Sequence, residues 1–424
     1  MLDVIVIFIA LIFVFKSNES AVKKQGIPSK YIKTLHFLLG YHLLFVVFFT
    51  AYIHFSGGDS YGYWHYLMEQ VPIHYETWNE FFGTSTTFIL WLNYIPSRLL
   101  GLGYFTGNFL YGILGFIGLR YLFILTAKLW PSNYTIFQVK LFPLIFFLPN
   151  LHFWSAGVGK DAICFWGIAW FLYAIQNYKS RWLQGVLALF FVYMARPHMG
   201  FAFVTAGALA VILGSDIQRS YKIFLVVLGM SASVYLSSST LSFLKIDDFS
   251  LDTLEAFAAK KAGFLNEDRV GSAIDISSYS LPYKLFTYMY RPLFFDAHNI
   301  MSFLSGFENI LYLWLSFFTI RYWKIEAFRD MPVFLKTGII AFIPIAIAFS
   351  NSLSNLGIIM RMKNMTMIYF VLFCFFLIAY DKKIRYLRYV DKQKFYLRRE
   401  KIIISKKKYF NTNGDPKSKY YPLS

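Results

Sequence analysis

Residues 151–171, LHFWSAGVGKDAICFWGIAWF, contain the two kinds of sequence from which this chain is built. An aromatic segment is interrupted by Ser155, two glycines and the adjacent pair Lys160 and Asp161, and a long apolar run follows. Similar apolar runs of roughly 15–22 residues recur along the chain, which is typical of transmembrane helices. Helices satisfy their own backbone hydrogen bonds in lipid. The sequence therefore predicts an all-α, polytopic membrane protein with about eleven transmembrane helices.

The composition excludes an ordinary soluble globular protein. Of the 424 residues 57% are apolar and only 15% are charged, whereas about 25% are charged in soluble domains. The two cysteines, Cys164 and Cys374, lie in apolar runs and indicate neither a disulfide framework nor a cysteine metal site. His54, His65 and His74 fit no metal-ligand spacing that we can justify. We predict no metal and no cofactor.

The spans are predicted from the apolar runs. The segment 84–103 contains Pro96 and Arg98 and is interpreted as a re-entrant or amphipathic piece. The run at the N-terminus lacks a basic start and a small-residue cleavage site, so it is interpreted as a short first span. The predicted spans lie near residues 2–15, 35–55, 105–127, 135–151, 161–177, 182–195, 199–214, 222–239, 305–320, 333–350 and 365–380.

Charge gives these spans an orientation. The net charge of +18 is concentrated at one side: residues 381–424 hold fourteen Lys or Arg and four acids, and residues 16–33 hold five Lys and one Glu. The positive-inside rule places the basic loops and the C-terminus in the cytoplasm, where they attract anionic lipids. An RNA-binding tail is the less favoured alternative, and we predict no nucleic-acid partner. The predicted domains are a transmembrane domain, 1–380, in which 240–304 caps the outer face, and a basic tail, 381–424.

The unusual polar residues fall on the opposite, outer side. An ionisable group at membrane depth is costly and is usually paired or functional. Their joint placement predicts a polar cavity that opens outward. The candidates are Asp59, Arg196, His198 and Arg361 as catalytic residues, and Lys160, Asp161, Arg291, His298, Glu308, Asn355, Tyr63 and Trp64 as substrate-binding residues.

Each candidate also has a structural interpretation. Asp161 begins a helix and is suited to cap it, and Lys160 can extend its ammonium group to the headgroups. His198 lies in a tight turn, and Glu308 can pair with an arginine.

The residue types nevertheless fit one chemistry. Arg196, Arg291 and Arg361 can hold phosphate oxygens with forked donors. Asp59 can remove a proton from a sugar hydroxyl as a general base. Tyr63 and Trp64 are suited to stack against sugar rings, and an apolar flank between helices would hold a polyprenyl tail.

Four segments carry a family resemblance: LPNLHFWSAGVGKDA, RPHMG, RPLFFDAHN followed by FEN, and SNLGIIMRMKN. In kind and order they resemble bacterial membrane proteins of surface-polysaccharide clusters. Such proteins are similar to O-antigen or capsule repeat-unit polymerases, and more distantly to C-type polyprenyl-phosphate-dependent membrane glycosyltransferases.

The resemblance to the polymerases implies outer arginines that grip lipid-linked donor and acceptor, a role matched by Arg196, Arg291 and Arg361. It also implies an arginine and a glycine with ten residues between them, a spacing that Arg196 and Gly207 match. The resemblance to C-type transferases implies an acid in the first outer loop, the position of Asp59. An O-antigen ligase would have a glycine at a set spacing after its histidine, and the sequence after His298 lacks it.

The expected function is transfer of polyprenyl-linked sugars at the outer face of a bacterial cytoplasmic (inner) membrane, with polysaccharide-assembly proteins as partners. Polymerisation of repeat units is favoured. A single-sugar C-type glycosyltransferase and a lipid-linked oligosaccharide flippase are the alternatives. Broken helices in paired halves, typical of many transporters, are not visible.

Overall fold

The computed structural model describes residues 1–68, 77–129, 141–214, 272–297 and 299–413, with six further positions between 252 and 260. Side chains are described as far as Ser405. Helices dominate these ranges, and within them no strand forms. A single β-bridge pairs Ala273 with Asn355. The predicted all-α class is confirmed for the part of the chain that the structure describes.

Six described helices are long and apolar enough to cross a membrane. They vary in how far they are enclosed, since only 11% of the apolar window of the first helix is buried inside the protein, against 78% for the fifth. Their bounds are Leu2–Gln25 (α1), Lys30–Ser56 (α2), Tyr104–Leu129 (α5), Pro197–Gly214 (α10), Ile300–Tyr322 (α12) and Val333–Ser352 (α14). These helices identify a membrane protein.

Shorter helices connect and brace these six. Their bounds are Asp59–Met68 (α3), Thr86–Asn93 (α4), Leu141–Leu144 (α6), Pro149–Phe153 (α7), Lys160–Ile175 (α8), Tyr178–Ala195 (α9), Leu281–Tyr290 (α11), Ile325–Asp330 (α13) and Leu356–Lys363 (α15). Three-residue and four-residue 3₁₀ turns occupy Trp78–Phe81, Ile145–Phe147 and Phe294–Asp296, and a π-helical turn occupies Tyr94–Leu99.

The last helix, Met367–Asn413 (α16), continues through the predicted domain boundary at residue 381 without a break. It meets α15 at a bend of 57°, and this pair counts as a seventh candidate span if it is taken as one. Beyond Asp381 most side chains of α16 are exposed. The basic tail is therefore an extension of a membrane helix in its described part.

Several predicted spans differ from the observed helices. The span predicted at 135–151 is wrong for its described half, because Phe142 has non-helical angles and Pro143 lacks a backbone donor. The first span is longer than predicted and ends at Gln25. The segment 84–103 forms the short α4 and the π-helical turn. The span predicted at 222–239 lies outside the described residues, as do most residues of 240–271 in the predicted cap.

The long helices define two ends of the bundle. Asp3 at the start of α1 accepts a hydrogen bond from Gly103 N–H (2.8 Å), just before α5. At the opposite ends of these helices, Lys128 Nζ donates to Gln25 Oε1 (2.6 Å). We call the first end the cavity end and the second the basic end. Helix α8 begins at the cavity end, packs against α5 and α9 and is almost wholly buried.

Candidate functional site

A glycine turn places Asp59 at the cavity end. Gly57 (φ +71°) and Gly58 (φ +144°) end α2 in backbone conformations that favour glycine, and α3 begins at Asp59. The Asp59 side chain is 64% exposed. The GGDS sequence therefore turns the chain sharply and leaves a carboxylate open to the surroundings.

The loop before α8 packs directly on α2. A Cβ at Gly157 would lie 2.0 Å from a ring atom of Phe49, so only glycine fits there. Asn108 on α5 fastens this loop, because its side chain accepts from Val158 N–H (2.9 Å) and donates to Thr50 (3.0 Å). The GVGKD sequence thus holds Lys160 and Asp161 rigidly at the start of α8.

Asp161 joins three separate parts of the chain. One carboxylate oxygen accepts from Arg196 NH2, at the end of α9, and the other accepts from Arg361 Nε, on α15. The side chain of Asp161 is 7% exposed, that of Arg196 11% and that of Arg361 25%. Charge-assisted contacts of this kind are the strongest polar contacts available in a protein. We call Asp59, Asp161, Arg196 and Arg361 the Asp161 cluster.

Arg361 links the buried part of this cluster to its exposed part. Its NH1 lies 3.5 Å from Asp59 Oδ2, and its guanidinium group lies 5.8 Å from the ring centre of Trp154. Lys160 lies close by, where its ammonium group donates to Ser85 (3.2 Å) and Thr86 (3.1 Å). The two arginines and two aspartates of the Asp161 cluster balance one another. With Lys160 the group therefore has a net charge of +1.

A cavity of about 170 Å³ opens beside this cluster. The cluster supplies charged groups to its lining, and apolar and aromatic side chains supply much of the rest. The lining includes Phe49, Tyr52 and Ile53 of α2, Asp59, Trp154, Asp161 and Arg361. Tyr52 is 38% exposed and packs edge-on against Phe153. The structure therefore combines a carboxylate, a guanidinium group and aromatic faces around one space.

A second polar cluster lies deeper at the same end and has little free space. Lys363 Nζ donates to the Arg291 carbonyl (2.6 Å) and to Asn309 (2.8 Å). Glu308 accepts from Asn150 N–H (2.6 Å) and from the Tyr312 hydroxyl (3.0 Å). Lys363 is 2% exposed and Glu308 4%. We call Glu308, Lys363 and their hydrogen-bond partners the Lys363 cluster.

Arg291 is not one of the two arginines that contact Asp161. It forms a forked contact with Asp296 (2.6 and 3.0 Å) in the turn after α11. Burial raises the pKa of Asp296, but hydrogen bonds from Arg291 and Leu293 N–H hold that pKa below its ordinary value. The predicted set of three phosphate-binding arginines is thus divided, with Arg196 and Arg361 together and Arg291 engaged locally.

Other candidates have structural contacts. Asn355 caps α15 by accepting from Gly357 and Ile358 N–H (3.0 and 3.1 Å), and Ser272 donates to it. Trp64 is fully buried, and its Nε1 donates to the Leu102 carbonyl (3.0 Å). These contacts explain both residues as parts of the fold, and they leave the Trp64 ring no exposed face for a sugar.

Two further candidates lie near the cluster without joining its ion pairs. Tyr63 is 8% exposed and lies beneath Lys160, whose ammonium group is 5.6 Å from the ring centre. The ring therefore supports a cation instead of offering an open stacking face. His198 packs edge-on against Phe349, and its buried Nδ1 has no hydrogen-bond partner among the described residues. His298 lies outside the described residues.

Sequence reasoning overlooked several residues of the site. Trp154 and Tyr52 line the cavity, and Ser85 and Thr86 hold Lys160. Trp154 lies only six residues before Lys160, within residues 151–171, so proximity in sequence is a signal for it. Tyr52 and Ser85 gave none, because aromatic and hydroxyl residues are common throughout the chain.

The described residues contain no group of three or more His, Cys, Asp or Glu side chains arranged to hold a metal ion. No protein-family model, no curated protein and no solved structure matches this chain.

Proposed function

We propose that this protein transfers sugars from polyprenyl-linked donors at the outer face of a membrane, and that it polymerises repeat units of a surface polysaccharide. The observation that carries the proposal is the position of Arg361 between exposed Asp59 and buried Asp161, at the rim of a cavity with aromatic walls. This arrangement combines a proton acceptor, an anion-binding group and surfaces for sugar rings.

The cations of the site suit a phosphate-linked donor. Arg361 is 25% exposed at the cavity, and Lys160 is held nearby by two hydroxyl groups. Asp161 orients Arg361 from behind through Nε. A phosphate or pyrophosphate group of the donor would take the outward-facing donors of Arg361, with Lys160 adding charge. Arginine is well suited to this role because its planar fork matches phosphate oxygens.

Asp59 supplies the proton acceptor. The oxygen of the acceptor hydroxyl would attack the anomeric carbon of the donor sugar while its proton passes to the Asp59 carboxylate. The bond between the anomeric carbon and the phosphate oxygen breaks, and the polyprenyl pyrophosphate or phosphate leaves with the electron pair. Arg361, 3.5 Å from Asp59, lies where it can stabilise the negative charge of that leaving group.

The apolar side of the cavity suits the rest of the donor. Tyr52 and Trp154 present aromatic faces to a sugar ring, and Phe49 and Ile53 extend the wall along α2. Further along α2, Phe48 and Phe55 are 58% and 85% exposed. A polyprenyl tail would lie along this outward face of α2, in contact with lipid.

The finer placement of the protein belongs to the same proposal. We propose that the protein lies in a bacterial cytoplasmic (inner) membrane, with the C-terminus in the cytoplasm and the cavity outside. Anionic lipids at the basic extension of α16 and polysaccharide-assembly proteins are the proposed partners.

A single-sugar C-type glycosyltransferase is the second candidate. The observation that favours it is the location of Asp59, which directly follows the turn that ends α2 and faces a cavity with one exposed carboxylate. A transferase of that class would use the same proton transfer but a lipid-phosphate monosaccharide as donor.

The test is mass spectrometry of lipid-linked glycans that accumulate when the protein is absent, with complementation by variants. Asp59→Asn is compared with Asp275→Asn, another exposed aspartate, and Arg361→Ala with Arg98→Ala, a half-buried arginine over Tyr94. We expect only the Asp59 and Arg361 variants to fail.

The accumulated species separates the candidates. One complete repeat unit on its carrier, at the outer leaflet, indicates a polymerase, and a product that lacks one sugar indicates a single-sugar transferase. A complete unit confined to the cytoplasmic leaflet would make the protein a flippase and overturn the enzymatic proposal. Full complementation by both site variants would remove the cavity from the mechanism.

A further inference from the structure

Arg120 is a buried cation at the other end of the bundle, and the mechanism above does not use it. It lies on α5 and is 7% exposed. Its NH1 donates to Ser17 (2.5 Å) and to Asn18 Oδ1 (3.1 Å) on α1. Both partners are neutral, and Nε has no hydrogen-bond partner among the described residues. A charged group at membrane depth is costly and is usually paired or functional.

Two tyrosines lie beside Arg120 and connect it with a second arginine. Tyr121 and Tyr173 pack with ring centres 4.6 Å apart. Arg181 lies 4.0 Å above the Tyr173 ring and donates to the Tyr173 carbonyl (3.2 Å). Both tyrosines lie within electrostatic range of both guanidinium groups. These four residues therefore form one cluster between α5, α8 and α9.

The cluster is positively charged and partly open. In the part of the chain that the structure describes, neither Arg120 nor Arg181 forms an ion pair with a carboxylate, and Lys128 at the end of α5 adds a third positive charge at this end. Tyr121, Tyr173 and Arg181 are half-buried, so part of the cluster is accessible from outside the protein. Phenol hydroxyls and guanidinium groups are all donors suited to an oxyanion.

We propose that Arg120, Tyr121, Tyr173 and Arg181 form a binding site for a phosphate group, and that an anionic phospholipid supplies it. The lipid source is favoured by the surface next to Arg181, where Trp182, Leu183 and Val186 of α9 are 65%, 55% and 56% exposed and offer a face for acyl chains. The basic end is also where the positive-inside rule places the headgroups of the cytoplasmic leaflet. This site does not depend on the proposed sugar transfer.

The test is native mass spectrometry of the full chain in an uncharged detergent, with dioleoylphosphatidylglycerol as the probe and dioleoylphosphatidylcholine as the neutral-headgroup comparison. We expect phosphatidylglycerol to bind the unaltered chain at least about tenfold more tightly than it binds Arg120→Gln or Arg181→Gln, because each removes a charge-assisted hydrogen bond. Arg388→Gln, in the exposed part of α16, is the control for general attraction to basic residues and should bind as the unaltered chain does.

Further variants keep the test decisive if Arg120→Gln does not fold. Arg181→Gln and Tyr173→Phe alter the half-buried side of the site and should weaken binding without removing the α1–α5 contact. Inorganic phosphate added alone separates the sources: if it binds in an Arg181-dependent manner and the lipid does not, the site is supported but its ligand is a soluble phosphate. Equal phosphatidylglycerol binding by the unaltered chain and the Arg181 variant, or equal binding of both lipids, would overturn the proposal.

Discussion

The Asp161 cluster and the Lys363 cluster meet along one short helix. Arg361 and Lys363 are two residues apart on α15, which places their side chains about 200° apart around the helix axis. Arg361 extends to Asp161 and Asp59 at the cavity, whereas Lys363 extends inward to Asn309 and the Arg291 carbonyl. The same helix thus contributes one cation to a partly open cluster and one to a closed cluster.

Access to the surroundings separates the two clusters. The free space lined by Lys363 is about 10 Å³, room for at most one water molecule, whereas the cavity at Arg361 is about 170 Å³. Glu308 already accepts two hydrogen bonds inside the protein, while the Asp59 carboxylate is 64% exposed. The charged groups of the Lys363 cluster therefore fasten helices to one another, whereas part of the charge of the Asp161 cluster borders a cavity.

The largest effect is expected from Asp161→Asn. The substitution keeps the shape but takes from Arg196 and Arg361 the buried carboxylate that they share, and loss of one partner from a buried ion pair costs about 3–5 kcal/mol. We expect a large fall in the free energy of unfolding, measured by thermal denaturation in detergent. Asp59→Asn is the matched control and should change stability little. Equal stability of both variants would show that Asp161 does not organise the cluster.

The next effect concerns activity and not stability. Asp59→Asn removes the proposed base, and general-base catalysis contributes about 100-fold or more to a rate. We expect sugar transfer to fall by that factor, measured with purified protein and a polyprenyl-linked donor, while the folded protein survives. Asp59→Glu should restore part of the rate. If Asp59→Asn retains full activity, Asp59 is not the catalytic carboxylate of the Asp161 cluster.

Lys363→Met tests the Lys363 cluster. The variant leaves the Asn309 side chain and the Arg291 carbonyl without their buried donor, and unsatisfied buried groups cost about 2 kcal/mol. Thermal unfolding should reveal this loss, while activity per folded molecule stays unchanged. Lys284→Met, which removes a single contact to Asn351 (3.2 Å), should cost less. Loss of activity at unchanged stability would instead place Lys363 in the mechanism.

The smallest effect on stability is expected from Asn355→Ala at the start of α15, the helix that carries both Arg361 and Lys363. Asn355→Ala removes the side chain that caps this helix, and loss of such a cap costs about 1 kcal/mol. Asn355→Asp retains the accepting oxygen and should preserve stability in the same unfolding measurement. If the aspartate variant loses as much stability as the alanine variant, the contact from Ser272 matters more than the cap.

The sequence anticipated much of the site but not its internal connections. The sequence predicts Asp59, Asp161, Arg196 and Arg361 as site residues because all four lie near the outer ends of predicted helices. That Asp161 would join two arginines from α9 and α15 could not be inferred, because nothing in local sequence states which helix ends are neighbours. The sequence predicts Trp64 as a substrate-binding residue because tryptophan suits sugar stacking, but packing against Gly107 and the hydrogen bond to Leu102 place it in the core.

By itself the sequence determined that this protein folds in a lipid bilayer and not in water. Long apolar runs must form helices in lipid because no water is present to satisfy the backbone, and unpaired charges must be kept near the ends. Only the tertiary structure decided which charges share a partner, which are closed off and which border a cavity. These choices depend on contacts between residues as far apart in sequence as Asp161 and Arg361, 200 positions, and such contacts are fixed by the packing of whole helices.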